Sequence, residues 1–189
     1  VHPEVAPRKI TRIGVDSWQL TTWTFQTEDD RIYWPHARFV PASVTLRASG
    51  TSGTVTLTAS ASVFLSQHFG VRMRIDDKEV QITQVLSATQ AKATVLETLK
   101  GTSATEDWSE QAFSNARGWP VSVCFHQDRL VIGGSRDLPN RLWLSKSADL
   151  FNFDLGEGLD DESIEFPILS DQVNAVRHVF SGRHLQVFT

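Results

Sequence analysis

A chain of 189 residues, 40% apolar and 21% charged, has the make-up of an ordinary globular protein with room for one large or two small domains. Its net charge of −4 argues against a general nucleic-acid-binding surface, and its single cysteine, Cys124, excludes a disulfide framework or a thiolate metal site within one chain. No apolar run approaches the roughly 18 residues of a membrane span.

Val1 to Pro7 reads as an extended arm, because Pro3 and Pro7 disfavour helix on both sides. This opening shows no signal-peptide pattern, and the missing initiator Met fits a piece of a longer protein. Lys9 to Ile13 is a candidate strand, Gly14 to Ser17 a turn, and Trp18 to Phe25 a second strand rich in Trp, Thr and Phe. Trp18 and Leu20 share one face and Trp23 and Phe25 the other, which predicts burial on both sides or cover from a neighbouring chain. Gln26 to Asp30 is a polar loop, and Arg31 to Pro41 an aromatic connection. Residues 1–42 are expected to form a β arm packed on the region from 118 onward.

From Ala42 the chain turns small and Thr-rich. In Thr54 to Ala59, Val55, Leu57 and Ala59 alternate with threonines, the pattern of a strand with one buried face. A helical turn is expected within Ser60 to Gly70, capped by Ser60 or Ser62, with Leu65 and Phe69 on one face and Gly70 at its end. Val71, Met73 and Ile75 alternate with Arg72 and Arg74. A turn at Asp76-Asp77-Lys78 leads to Val80 and Ile82, and Ser87 to Gln90 turns again into Ala91, Ala93 and Val95. Strand, short helix and two hairpins predict a small closed β-barrel over residues 43–100. Gly101 to Asn115 is polar and loop-like, so 101–117 reads as the connection back.

Gly118 to Phe153 reads as three strands: Val121 to Phe125, Arg129 to Ile132 and Leu142 to Leu144, joined at His126-Gln127-Asp128 and at Asp137 to Asn140. Ile164 to Ile168 is a fourth. Four consecutive antiparallel strands match one blade of a β-propeller, and Val176 to Phe188 repeats the first hairpin at an offset of 55 residues, setting Phe180 under Phe125 and Leu185 under Leu130. Residues 118–189 therefore predict one blade and the start of a second. After strand three comes an acidic stretch, without Lys or Arg between Lys146 and Arg177, that holds Asp149, Asp154, Glu157, Asp160, Asp161, Glu162 and Glu165.

Gly118-Trp119-Pro120, Phe125 to Leu130, Gly133-Gly134-Ser135-Arg136 and Ser145 to Phe153 stand in an order that resembles tail proteins of short-tailed bacteriophages and related prophages. The opening HPEVAPRKITRIGVDSWQL resembles the segment that leads to that family's first Trp-containing strand. The Thr-rich module is similar to the first catalytic-cysteine half-domain (FCCH) of ubiquitin-activating enzymes, a small barrel that phage tail proteins carry as an insertion. The resemblance implies a virion structural protein of the tail tube or nozzle, assembled in the bacterial cytoplasm as a homo-oligomeric ring with other tail proteins, with phage DNA passing without specific binding. It implies no ubiquitin chemistry, since Cys124 lies outside the module.

Chemistry is sparse. Cys124 reads as a small buried hydrophobe, although His126 shares its face if the strand continues. The histidines at 2, 36, 68, 126, 178 and 184 show no zinc-type spacing, and neither a phosphate-binding loop nor a Gly-x-Ser-x-Gly elbow occurs. Ser147-Ala148-Asp149 keeps only the Ser and Asp of a sialidase-type turn box, which is structural even when whole. The acidic loop 154–165 reads as a solvated loop, as a calcium site without the usual alternating ligand spacing, or as a contact for Arg8, Lys9 and Arg12 of a neighbouring subunit. No residue is assigned a catalytic, cofactor-binding or metal-ligating role. The expectation is a non-catalytic, all-β subunit that acts by assembly. The alternative is a carbohydrate-binding or glycan-cleaving propeller fragment using Trp18, Trp23, Trp34, Trp119 or Trp143 as stacking platforms.

Overall fold

The computed structural model describes residues 1–29, 31–169 and 174–189. Asp30, at the end of the expected polar loop, and residues 170–173, which follow the expected strand Ile164 to Ile168, lie outside the described residues. The chain is all-β. Its strands are β1 (Arg8–Gly14), β2 (Ser17–Thr22), β3 (Thr27–Glu28), β4 (Arg31–Ile32), β5 (His36–Ala37), β6 (Leu46–Ala48), β7 (Thr54–Ala59), β8 (Arg72–Ile75), β9 (Lys78–Ser87), β10 (Gln90–Val95) and β11 (Trp108–Gln111). They continue with β12 (Pro120–His126), β13 (Arg129–Ser135), β14 (Arg141–Leu144), β15 (Ile164–Pro167), β16 (His178–Ser181) and β17 (Leu185–Phe188). Two compact units result: one of residues 1–27, 32–35 and 117–189, the other of 28–31 and 36–116.

The second unit is an antiparallel sheet in the order β5-β11-β8-β9-β10-β7-β6. Alternation works here as the sequence predicts: Val55, Leu57 and Ala59 on β7, Met73 and Ile75 on β8, Val80 and Ile82 on β9, and Ala91 and Ala93 on β10 all point into one core. The β8–β9 hairpin closes through Asp76 and Asp77, both with positive φ (49° and 65°), the two-residue turn whose twist suits a hairpin. At the β6 edge, Leu46 and Thr105 exchange backbone hydrogen bonds of 2.9 Å each way. That single bridge, rather than a ladder, ties β6 to the segment entering β11.

The structure departs from the sequence pattern at three points. The unit takes in residues 28–31 and 36–116, wider than 43–100, in part because β5 pairs with β11. Residues 101–117 are not merely connecting loop: β11 pairs with β8 through Trp108↔Ile75, and Trp108, Ala112 and Phe113 are buried. The helical turn is a single 3-10 turn, Ser66–His68, that neither serine caps. His68 Nδ1 instead accepts the Leu65 N–H at 2.8 Å, and Ser60 Oγ accepts the Thr45 N–H. Leu65 and Phe69 face solvent while His68 is the buried residue.

In the first unit, β12, β13, β14 and β15 form an antiparallel meander in chain order, the four-strand pattern expected from sequence. The β16–β17 hairpin lies over one face of it. Val179 N–H donates to Ser122 Oγ at 3.0 Å, and Val176 and Val179 join Val131 and Leu142 in one apolar cluster. Gly133 makes this approach possible, since a Cβ there would stand 2.5 Å from Val179 and 2.9 Å from Val176. The expected repeat slips by one residue. The first hairpin pairs Phe125 with Leu130 across a two-residue turn, but the second pairs Phe180 with Gln186 across three, so Leu185 faces Ser181.

The opposite face of the meander carries Leu130, Ile132 and Trp143, all buried. Nearby aromatic residues from both ends of the chain pack together in the same unit. Trp23 and Phe25 lie with ring centroids 4.8 Å apart, and Phe25 meets Trp34 at 6.0 Å and Phe153 at 5.6 Å. Backbone hydrogen bonds from Gln26 to Phe151 and from Phe153 to Tyr33 hold this arrangement. Trp23 and Phe25 therefore follow the end of β2 rather than forming the far face of one long strand.

Candidate functional site

Side chains with catalytic potential are separated. Cys124 is half-buried on β12, and burial pushes its thiol pKa up, the opposite of an activated nucleophile. His126 shares its strand but engages Ser181, with Nδ1 3.0 Å from Oγ. His68 is paired with Glu110 inside the second unit. Among the described residues, no three His, Cys, Asp or Glu side chains gather in a way that could hold a metal ion. No helix among them is long and apolar enough to cross a membrane.

The acidic stretch is a built loop. Arg129, buried at the start of β13, donates to the backbone carbonyls of Ser145, Asp160 and Glu162, pinning both ends of the excursion to the sheet. The Glu162 carboxylate turns inward and accepts the N–H groups of Glu157 at 2.7 Å and Leu159 at 2.9 Å. The hydrogen bond from Leu159, aided by those from Glu157 and Gly158, holds its pKa below the ordinary value. Gly156, at φ 54°, makes room: a Cβ there would stand 1.9 Å from a Glu162 oxygen. Glu165, counted with the loop from sequence, belongs instead to β15. Burial raises its pKa against the opposing pull of Arg141, its ion-pair partner. What the loop leaves exposed are Glu157, Asp160 and Asp161, with Leu155 (49% exposed) and Leu159 (59%) among them.

The β1–β2 hairpin is the other unusual surface. Its register pairs Arg8↔Thr22, Ile10↔Leu20 and Arg12↔Trp18, so these six side chains share one face, while Lys9, Thr11, Gln19 and Thr21 occupy the other. Ile10, Trp18 and Leu20 are each more than 60% exposed. The Arg12 guanidinium lies 6.0 Å from the Trp18 ring and donates to the carbonyls of Gly14 and Val15, fixing the turn. The result is an apolar stripe flanked by Arg8 and Arg12. Expected burial on both sides of β2 is thus not met by the described residues.

Of the tryptophans considered as stacking platforms, Trp143 is core, and Trp23 and Trp34 sit in the aromatic cluster. Trp119 is half-buried, its N–H bonded to Pro3, and only Trp18 stands out from the surface. Trp23, Phe125 and Phe151 line a hollow of about 190 Å³ beside Arg8 and Lys9, smaller than the roughly 300 Å³ at which small-molecule sites begin. Arg129 and Glu162, which shape the acidic loop, escape a sequence reading because their partners are backbone groups. Glycines at 156 and 158 are the trace they leave. Neither a family model nor a curated protein matches the chain.

Proposed function

We propose that this chain is a non-catalytic structural component of a bacteriophage or prophage tail, of the tube or nozzle, working by homo-oligomeric ring assembly with other tail proteins. Its place is the virion tail, after assembly in the bacterial cytoplasm. The observation that carries this reading is the β1–β2 hairpin: a two-stranded ribbon with an uncovered apolar face is marginal in water and gains from a partner. The four-strand meander with a further hairpin stacked on it supports propeller-type blades, and the separate unit of 28–31 and 36–116 supports an inserted barrel-like module resembling the FCCH half-domain. A net charge of −4 suits a wall past which DNA slides without sticking.

Light scattering and negative-stain imaging of the full gene product test the reading. Rings of fixed symmetry are the expected result. A monomer whose tryptophan fluorescence is quenched by oligosaccharides would replace it with carbohydrate binding through the exposed Trp18.

A further inference from the structure

We infer that the apolar, basic face of the β1–β2 hairpin docks on the acidic loop 154–163 of a second copy of this chain, head to tail. This rests on the assembly reading above and names the contact that would carry it. Two surfaces of one molecule are both uncovered and complement each other twice over. The hairpin offers Ile10, Trp18 and Leu20 between Arg8 and Arg12. The loop offers Leu155 and Leu159 among the carboxylates of Glu157, Asp160 and Asp161, none of which makes a hydrogen bond or ion pair with the described residues.

Both surfaces are shaped before they meet. Arg129 and the inward-turned Glu162 hold the loop, so its leucines and outer carboxylates are presented outward without much ordering cost on contact. The hairpin turn is held by Arg12. Apolar contact supplies the affinity, and the opposite charges set register and speed the encounter. The two patches are different surfaces, so the contact is heterologous. Repeated from copy to copy, it closes a ring or extends a filament, whereas a twofold dimer would need each patch to meet itself.

Charge exchange tests this directly. One full-length variant carries Arg8→Glu and Arg12→Glu, and another Glu157→Lys, Asp160→Lys and Asp161→Lys. Circular dichroism and thermal melting check that both fold, and Arg8→Glu alone, which keeps the turn bonds of Arg12, separates lost charge from a loosened turn. In sedimentation velocity at low salt, each variant alone is expected to associate at least about tenfold more weakly than the parent chain, and an equimolar mixture to recover association, because each reversed patch finds a complement. Trp18→Ser is expected to weaken association without changing its salt dependence. Parent-like oligomers in both charge variants would overturn this contact and leave the assembly reading standing. A parent chain that stays monomeric at low salt would overturn both.

Discussion

The His68 imidazole and the Glu110 carboxylate, forty-two residues apart in the chain, lie 2.7 Å from each other in the interior of the second unit, both fully buried. His68 Nδ1 is occupied by the Leu65 N–H, which places the ring proton on Nε2, directed at Glu110. The pair fastens the 3-10 turn Ser66–His68 to β11, a four-residue strand in which only Trp108 is apolar.

Glu110→Ala strips the imidazole of its buried partner and is expected to cost about 3 kcal/mol, the scale for breaking a buried pair on one side. Glu110→Gln keeps an acceptor and is expected to cost about 1 kcal/mol. Urea unfolding of the full chain, followed with amide exchange on β8 and β11, checks both. Equal losses for the two variants would show that the carboxylate's charge, not the retained shape or a neutral acceptor, holds the pair.

A second buried carboxylate makes a different prediction. Glu79 is fully buried on β9 with Arg72 at 2.9 Å and Arg74 at 3.4 Å. Glu79→Ala removes the buried carboxylate that both guanidinium groups engage, and a loss of about 3 kcal/mol is expected, nearly independent of added salt because the site is shielded from solvent. Denaturation at low and high salt measures it.

Gly133→Ala drives a methyl into Val179 and Val176 and is expected to destabilise the first unit by about 2 kcal/mol through overpacking. Val179→Ala in the same chain should return part of that loss. A double-mutant cycle in thermal unfolding reads the coupling, and strict additivity would place the strain elsewhere.

The loop has its own pH signature. The folded pKa of Glu162 lies below its ordinary value of 4.5 because the N–H groups of Leu159, Glu157 and Gly158 favour the anion. Its contribution to loop order is therefore present above that value and lost as pH falls through the lower, folded one. Exchange protection at the Glu157 and Leu159 amides should disappear over that acid window. In Glu162→Gln it should be weak at every pH, and Gly156→Ala, which pushes the carboxylate aside, should resemble the Gln variant at neutral pH.

Much of the architecture was legible because alternation reports burial directly. The inward residues of β7 and β8 and the four strands of the meander lie where period two and turn residues put them. β11 was not legible. Only Trp108 announces it, while Glu110 and Gln111 look solvated until His68 and the neighbouring strands supply their partners. The capping serines failed for a related reason: Ser60 found a backbone donor across the sheet, and a histidine took the local role. Apolar residues in β2 raised the right question about cover, but hydropathy cannot say that the chain itself leaves Trp18 and Leu20 bare.

The first unit is discontinuous in sequence. Trp23, Phe25 and Trp34 leave the ribosome long before Phe151 and Phe153, the rings they pack beside, and the whole of residues 36–116 is made in the interval. During synthesis the inserted unit can complete its own sheet while the N-terminal aromatic residues wait unpaired, a window in which slow translation or a chaperone decides the yield of properly joined chains.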